Sequence, residues 1–433
     1  MSSNKLLYIL IGIISVGVIF TLVLVLRNVG GSSVQPVTLQ FWGVFDDHNA
    51  FDKVIRDFKA QNPGIDVKYQ MFTYEQYEKG FVNALAAGTG PDVLMIHNTW
   101  LPKHGNQLAP MPAGIPDTKN PFTAQSFKDQ FVDVAYQDLV YNNQIYGMPL
   151  YIDTLALYYN KDLFNSAGIA RPPTTWSEVN ADIPLLTKQD GRGNLTQSAF
   201  SLGTARNINR STDILQAMMI QSGVQMTATD HTSATFDQPV AGQHLGEIAL
   251  QYYTNFANSR NQDYAWNDAQ HYSLDAFTEG TLAMMLGYAH DSQVITSKAP
   301  RLNFAIAPMP QASTADVRNF ANYWAGAVTL KSLHPVEAWK FVNYLASKEG
   351  ITTYINATNR PVARRDLVDL QRTDPTLGVF AVQSLSARSW FQADNTAIEG
   401  IFADMIDDVN LHGSTIPSAI QRASSRVTVL MQR

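Results

Sequence analysis

Trp42 closes a strand-forming run, VTLQFW (37–42), and Asp46 stands just past its C-terminal end. Asn98 and Trp100 stand just past another, DVLMI (92–96). In open α/β sheets that rim is where ligands sit. The residue types suit gripping rather than reacting. An indole offers a flat apolar face, and a carboxylate or amide exchanges hydrogen bonds beside it. Such pairs match a small molecule with hydroxyl rims and apolar C–H faces. The alternatives are a core role for Trp42, a helix cap for Asp46, and loop packing for Asn98 and Trp100. With seven Trp and eighteen Tyr, the chain is rich in aromatic platforms. Trp390 and Asp394, ahead of a helix expected from Thr396, form a further candidate pair, and Arg206 and Asn207 in an expected loop a weaker one.

Reactive chemistry is poorly supplied. There are no cysteines, which excludes disulfides, thiolate metal sites, cysteine nucleophiles and a lipid-bearing N-terminal Cys. G-x-S-x-G, H-E-x-x-H and Walker patterns are absent, and the Gly-x-Gly before Asp92 lacks the Lys-Ser/Thr of a phosphate loop. Glycoside hydrolysis needs two carboxylates roughly 5–10 Å apart. Asp46, Asp153 and Asp394 are candidates, but nothing in the sequence pairs them. Tyr158–Tyr159 and Tyr252–Tyr253 raise ferric iron as an alternative ligand, and His244 with Glu247 lacks a partner motif. No catalytic residue, cofactor or metal site is assigned. The net charge of −6 and the lack of a basic cluster beyond Arg364–Arg365 argue against nucleic acid.

Positioning those residues needs a large scaffold. The 433 residues, 45% hydrophobic and 16% charged, exceed one ordinary core and predict two lobes. Residues 6–26 are apolar and uncharged between Lys5 and Arg27. As a helix they span roughly 30 Å, so residues 1–27 read as a membrane anchor or uncleaved signal. Residues 28–36, ending in GGSSVQP, read as a linker.

Beyond it strands and helices alternate. After VTLQFW comes a helix with Phe51, Val54, Ile55 and Phe58 on one face. A strand over 65–72, a helix over 74–87 and DVLMI complete a β-α-β-α-β series, as in a doubly wound α/β lobe. YGMPLYIDTLALYYN (146–160) holds two strand-like stretches around Pro149 and reads as a crossover. Thr175 and Glu178 form a capping box. Residues 282–287, 302–310 and 322–330 read as strands, 335–347 as an amphipathic helix, and the C-terminal third as mostly helical. Trp176 and Trp339 lie on apolar helix faces and are assigned to the core.

In order and wording these segments resemble the maltose-binding-like extracellular solute-binding proteins of ABC importers. The resemblance is carried by FKAQNPGIDVKY (58–69), ALAAGTGPDVLMI (84–96), YGMPLYIDTLALYYNKDLFNSAGI (146–169) and PPTTWSEV (172–179). AFTEGTLAMMLGY (276–288), NFAIAPMP (303–310) and EAWKFVNYLASKEG (337–350) continue it. It implies a two-lobed periplasmic-binding-protein-like fold (type II) with a hinge of about three crossings. Lobe one is expected over 37–150 plus 303–347, and lobe two over 151–302 plus 348–433. The resemblance implies a ligand, most simply a carbohydrate, held between the lobes and delivered to permease subunits outside the cytoplasm. A polyamine, peptide or metal are the alternatives. It puts Tyr151 and Asp153 in the first hinge crossing and Tyr288 and Trp324 near the cleft. The cysteine-free N-terminus departs from the lipoprotein tether common in this family.

Overall fold

A computed structural model describes residues 36–432. The apolar segment 6–26 and most of the linker lie outside the described residues. Among those described, no helix is long and apolar enough to cross a membrane.

Hydrophobic alternation builds the first sheet. Strand Val37–Val44 buries Leu39 and Phe41 on one face and pairs in parallel with Ile65–Phe72, which buries Ile65, Val67 and Tyr69. Helix His48–Gln61 packs there through Phe51, Val54 and Phe58, and the Asp47 side chain caps it by accepting from the Asn49 amide. Helix Tyr74–Ala87 ends on Gly88, whose φ of 72° is the left-handed cap that favours glycine. Val93–His97 runs buried on both faces, as a central strand should. Trp324–Val328 then adds antiparallel, and Met148–Pro149 closes the edge, where a proline costs no ladder hydrogen bond.

The second sheet runs in the order Phe304–Pro308, Ala156–Asn160, Leu282–Gly287, Leu195–Phe200, Lys188–Gln189. Helices Trp176–Leu186, Ser211–Gln221 and Leu245–Asn255 cover it with the C-terminal pair Asn395–Asn410 and Ile416–Met431. Thr175 caps its helix through the Glu178 amide, but Glu178 reaches back to Thr174, one residue before the capping-box position. Trp176 and Trp339 are both buried, each in the core of one lobe.

Two separate apolar cores result, and they redraw the expected boundaries. The strand Phe304–Pro308, assigned above to lobe one, pairs with Ala156–Asn160 in lobe two, with Ile306 opposite Tyr158. Residues 348–368, assigned to lobe two, pack in the first core through Ile351, Tyr354, Val362 and Leu367. The cause is a ring contact: Tyr354 stacks on Phe51 at 5.3 Å, fixing helix Lys348–Thr358 against His48–Gln61. The expected strand 322–330 is also broken at Tyr323. Asn319–Asn322 joins a small hinge sheet between Asp153–Thr154 and Ala387–Arg388, while Trp324–Val328 returns to lobe one. The chain thus passes between lobes three times: at Asp153–Thr154, at Asn319–Asn322, and between Val368 and Leu377.

Trp339 is fully buried, and its indole Nε1 donates to the Ala109 carbonyl at 3.1 Å. Trp339→Ala should destabilise lobe one by about 3–5 kcal/mol, read as a lower urea midpoint in equilibrium unfolding.

Candidate ligand-binding cleft

The gap between the lobes holds a cleft of about 460 Å³. Its lobe-one wall follows from strand direction. Phe45, Tyr74 and Asn98–Thr99 follow the C-terminal ends of three parallel strands, and His97 is the last residue of the third. Trp324 opens an antiparallel strand in register with His97, so it reaches the same edge. Lobe two contributes Arg210 and Asp213 at the start of helix Ser211–Gln221, Tyr288 and His290 past strand Leu282–Gly287, and Glu399. The hinge supplies Tyr151, Asp153 and Asn322.

Aromatic faces line one side. Phe45 stays 52% exposed with φ 68°, a left-handed conformation uncommon for an aromatic residue, and its ring stacks on Tyr74 at 5.6 Å. Trp324 is nearly enclosed by Phe45, Tyr77, His97 and Trp100, with ring centroids 5.3–5.9 Å away. It buttresses the wall and offers the cleft little more than an edge.

Polar groups face them. The Tyr288 hydroxyl donates to Asp213 at 2.8 Å, and the Arg210 guanidinium lies over the Tyr288 ring at 6.0 Å. Among the described residues, no hydrogen bond or ion pair holds Arg210. It is a cation left available to the cleft. Burial raises the Asp213 carboxyl above its ordinary value, with Arg210 opposing. Burial also pushes Asp153 up to about 7, against the pull of the Ala289 amide bonded to its carboxylate. His97 is pushed down to about 4 by burial and is neutral at pH 7. Its Nδ1 meets the Thr99 hydroxyl at 2.8 Å, and its Nε2 meets the Asn322 side chain at 3.2 Å.

Of the ten candidates, Asn98, Tyr151, Asp153, Tyr288 and Trp324 line this cleft. The other five lie elsewhere. Trp42 points to the opposite sheet face and packs on Phe72 at 4.5 Å. Asp46 lies behind the wall, taken up by Arg360 at 2.7 Å and by the Tyr354 hydroxyl at 2.6 Å. Arg360 itself lines the cleft and lies over the Tyr151 ring at 4.4 Å. Trp100 is buried, and its Nε1 donates to Asn395 across the lobes. Trp390 is buried and donates to Gln216 at 2.7 Å. Asp394 caps helix Asn395–Asn410 and pairs with Lys103 at 2.8 Å.

These placements bear on the rival chemistries. Each carboxylate proposed for hydrolysis is held by protein partners, and two of the three are outside the cleft. The Tyr158 hydroxyl donates to the Tyr288 carbonyl, and Tyr252 to Asn180. Among the described residues, no group of three His, Asp or Glu is placed to hold a metal.

Phe45 and Tyr74 were missed although the strand-end argument that selected Trp42 reaches them too. Arg210 was missed by four residues: Arg206 pairs on the surface with Asp404 and Asp407, and Asn207 accepts from the Trp266 indole. Arg360, Asp213 and His290 carried no local signal.

Two hinged α/β lobes with ring faces and polar groups opposed across a gap define a cleft-type small-molecule binding protein. The chain belongs to the bacterial extracellular solute-binding protein family, whose model matches residues 43–352. A binding protein of Brucella abortus is 26% identical over 304 residues, 69% of each chain. The multiple sugar-binding protein of Streptococcus mutans is 22% identical over 338 residues, 77% of this chain and 76% of its own. Among solved structures, the sugar-binding protein MalE of Xanthomonas citri superposes with a TM-score of 0.75 at 20% identity, covering 91% of this chain and 97% of the other.

A buried carboxyl with a raised value opposes folding once ionised. Its contribution is most favourable below about 4 and is lost as pH climbs through about 7. The wild-type thermal midpoint should therefore fall more between pH 5 and pH 8 than that of Asp153→Asn. Equal slopes in the two proteins would show that Asp153 is not the titrating group.

Proposed function

We propose that the protein is the substrate receptor of an ABC importer and that its ligand is a carbohydrate. The supporting observation is the opposition within one cleft of the stacked Phe45–Tyr74 rings and the Arg210–Asp213–Tyr288 polar cluster. A sugar presents both surfaces at once: C–H faces for rings, hydroxyls for groups that donate and accept. The names of the relatives point the same way. The Arg210 guanidinium, with no hydrogen bond or ion pair among the described residues, repels a polyamine's charge, against the pull of Glu75, Asp153, Asp213 and Glu399 in the same lining. Residues 6–26 then tether the receptor to the membrane outside the cytoplasm, with the glycine- and serine-containing stretch 28–36 as its leash.

The ligand works by differential contact. One that touches both lobes stabilises the closed arrangement over an open one. Moving the population from about 1:99 to 99:1 takes about 5.5 kcal/mol. Ring contacts and several charge-assisted hydrogen bonds reach that figure.

A thermal-shift screen over sugars, polyamines and amino acids tests the class, since a ligand at 100 times its Kd adds about 2.7 kcal/mol. A sugar should stabilise the protein, and X-ray scattering should show compaction with it. Stabilisation by a polyamine alone would reject the reading. Arg210→Ala and Tyr74→Ala should each weaken the sugar about 30-fold, roughly 2 kcal/mol. Trp42→Ala, outside the cleft, should leave calorimetric affinity within about twofold.

A further inference from the structure

The gap between the lobes continues past the cleft. Asn98, Thr99 and Gln392 line the cleft and also line a second cavity of about 720 Å³ on their far side. Lobe one contributes Tyr141 and Tyr146 to it, and lobe two His231, Trp390 and Phe391. Tyr141 is carried by the hairpin Val140–Tyr141 and Gln144–Ile145. The two turn residues, Asn142 and Asn143, have φ of 49° and 62°, as a tight two-residue turn requires. That turn leaves Tyr141 62% exposed. Opposite, His231 and Phe391 stack face to face, 4.4 Å apart with 5° between planes. His231 holds a left-handed backbone, φ 57°, to place its ring there. Gln137, Asp230 and Thr232 set polar groups among these rings.

We infer that this outer cavity is a second subsite and that the ligand is an oligosaccharide longer than a disaccharide. Its one end occupies the inner cleft, and its chain passes Asn98 and Gln392. The inference rests on the carbohydrate reading above. Single drug-sized ligands fill pockets of roughly 300–1,000 Å³. The inner cleft, at about 460 Å³, sits low in that range, and the adjoining cavity is the larger of the two. A ligand confined to the inner cleft leaves the outer rings in water. The outer walls repeat the inner chemistry, with ring faces from both lobes and amides or hydroxyls beside them. A polymer of hydroxylated rings presents that pattern unit after unit.

Calorimetric titration of the full-length protein with mono- to tetrasaccharides of the gluco-, manno-, xylo- and arabino-series tests it. In the series that binds, affinity should rise at least tenfold from disaccharide to tetrasaccharide. Tyr141→Ala and Phe391→Ala should each abolish most of that gain while leaving disaccharide affinity within twofold, which also reports that they fold. Tyr141→Phe should keep the gain. A tetrasaccharide no tighter than the disaccharide, or a gain that survives both alanine variants, overturns the second subsite alone. If no saccharide of any length binds, the carbohydrate reading fails and this inference fails with it.

Discussion

A buried ion pair between Asp46 and Arg360 underlies the arrangement of the first lobe. Asp46 follows the first strand, and Arg360 follows helix Lys348–Thr358, which the chain reaches only after a full excursion through lobe two. The Tyr354 hydroxyl takes the second carboxylate oxygen, and the guanidinium rests on Tyr151 at the hinge. Desolvating two charges costs several kcal/mol each, and removing one partner strands the other at about 3–5 kcal/mol. The segment 348–364 therefore cannot leave lobe one without exposing or orphaning a charge. Its return brings the third crossing back past the cleft, with Arg360 in the wall.

How much of this was legible in the chain follows from distance along it. The opening β-α-β-α-β series of the first lobe was read to within a residue or two, because alternation, glycine caps and the Asp47 cap are local signals, whereas the short helices and hairpin between 101 and 145 were not read. The strand-end argument found the rim through Asn98, since strand direction decides which edge faces the gap. It failed at Trp42, where the period of two turns the indole to the other face, and it was not carried on to Phe45 and Tyr74. Asp46 was read as a ligand contact with a helix cap as the alternative, whereas Asp47 caps that helix and Asp46 pairs with Arg360. Its partner lies 314 residues away, and no local pattern announces such a pair. The lobe boundaries slipped for the same reason. Phe304–Pro308 and residues 348–368 are each compatible with either core, and only strand register and the Phe51–Tyr354 stack decide. Trp100, Trp390 and Asp394 were chosen for residue type; the two indoles are buried and donate to Asn395 and Gln216, and the half-exposed Asp394 caps a helix and pairs with Lys103.

That use bears on closure. At the rim, outside the cleft, Lys103 bridges Glu78 and Asp394, and Trp100 donates to Asn395, joining lobe one to lobe two. Glu78 is held down at about 2, first by His104 and then by Lys103, so it stays ionised across the physiological range. The bridging side chains are half-exposed, and such pairs contribute about 0–1 kcal/mol each. The inner surfaces oppose them: Asp153 and Asp213 are both raised by burial, and Arg210 has no hydrogen bond or ion pair among the described residues. The rim contacts fall well short of the roughly 5.5 kcal/mol that a near-complete shift demands. The remainder has to come from a guest that satisfies Arg210 and covers Phe45. A weak latch around an unsatisfied interior makes closure depend on occupancy, which is what a receptor that signals its loaded state requires.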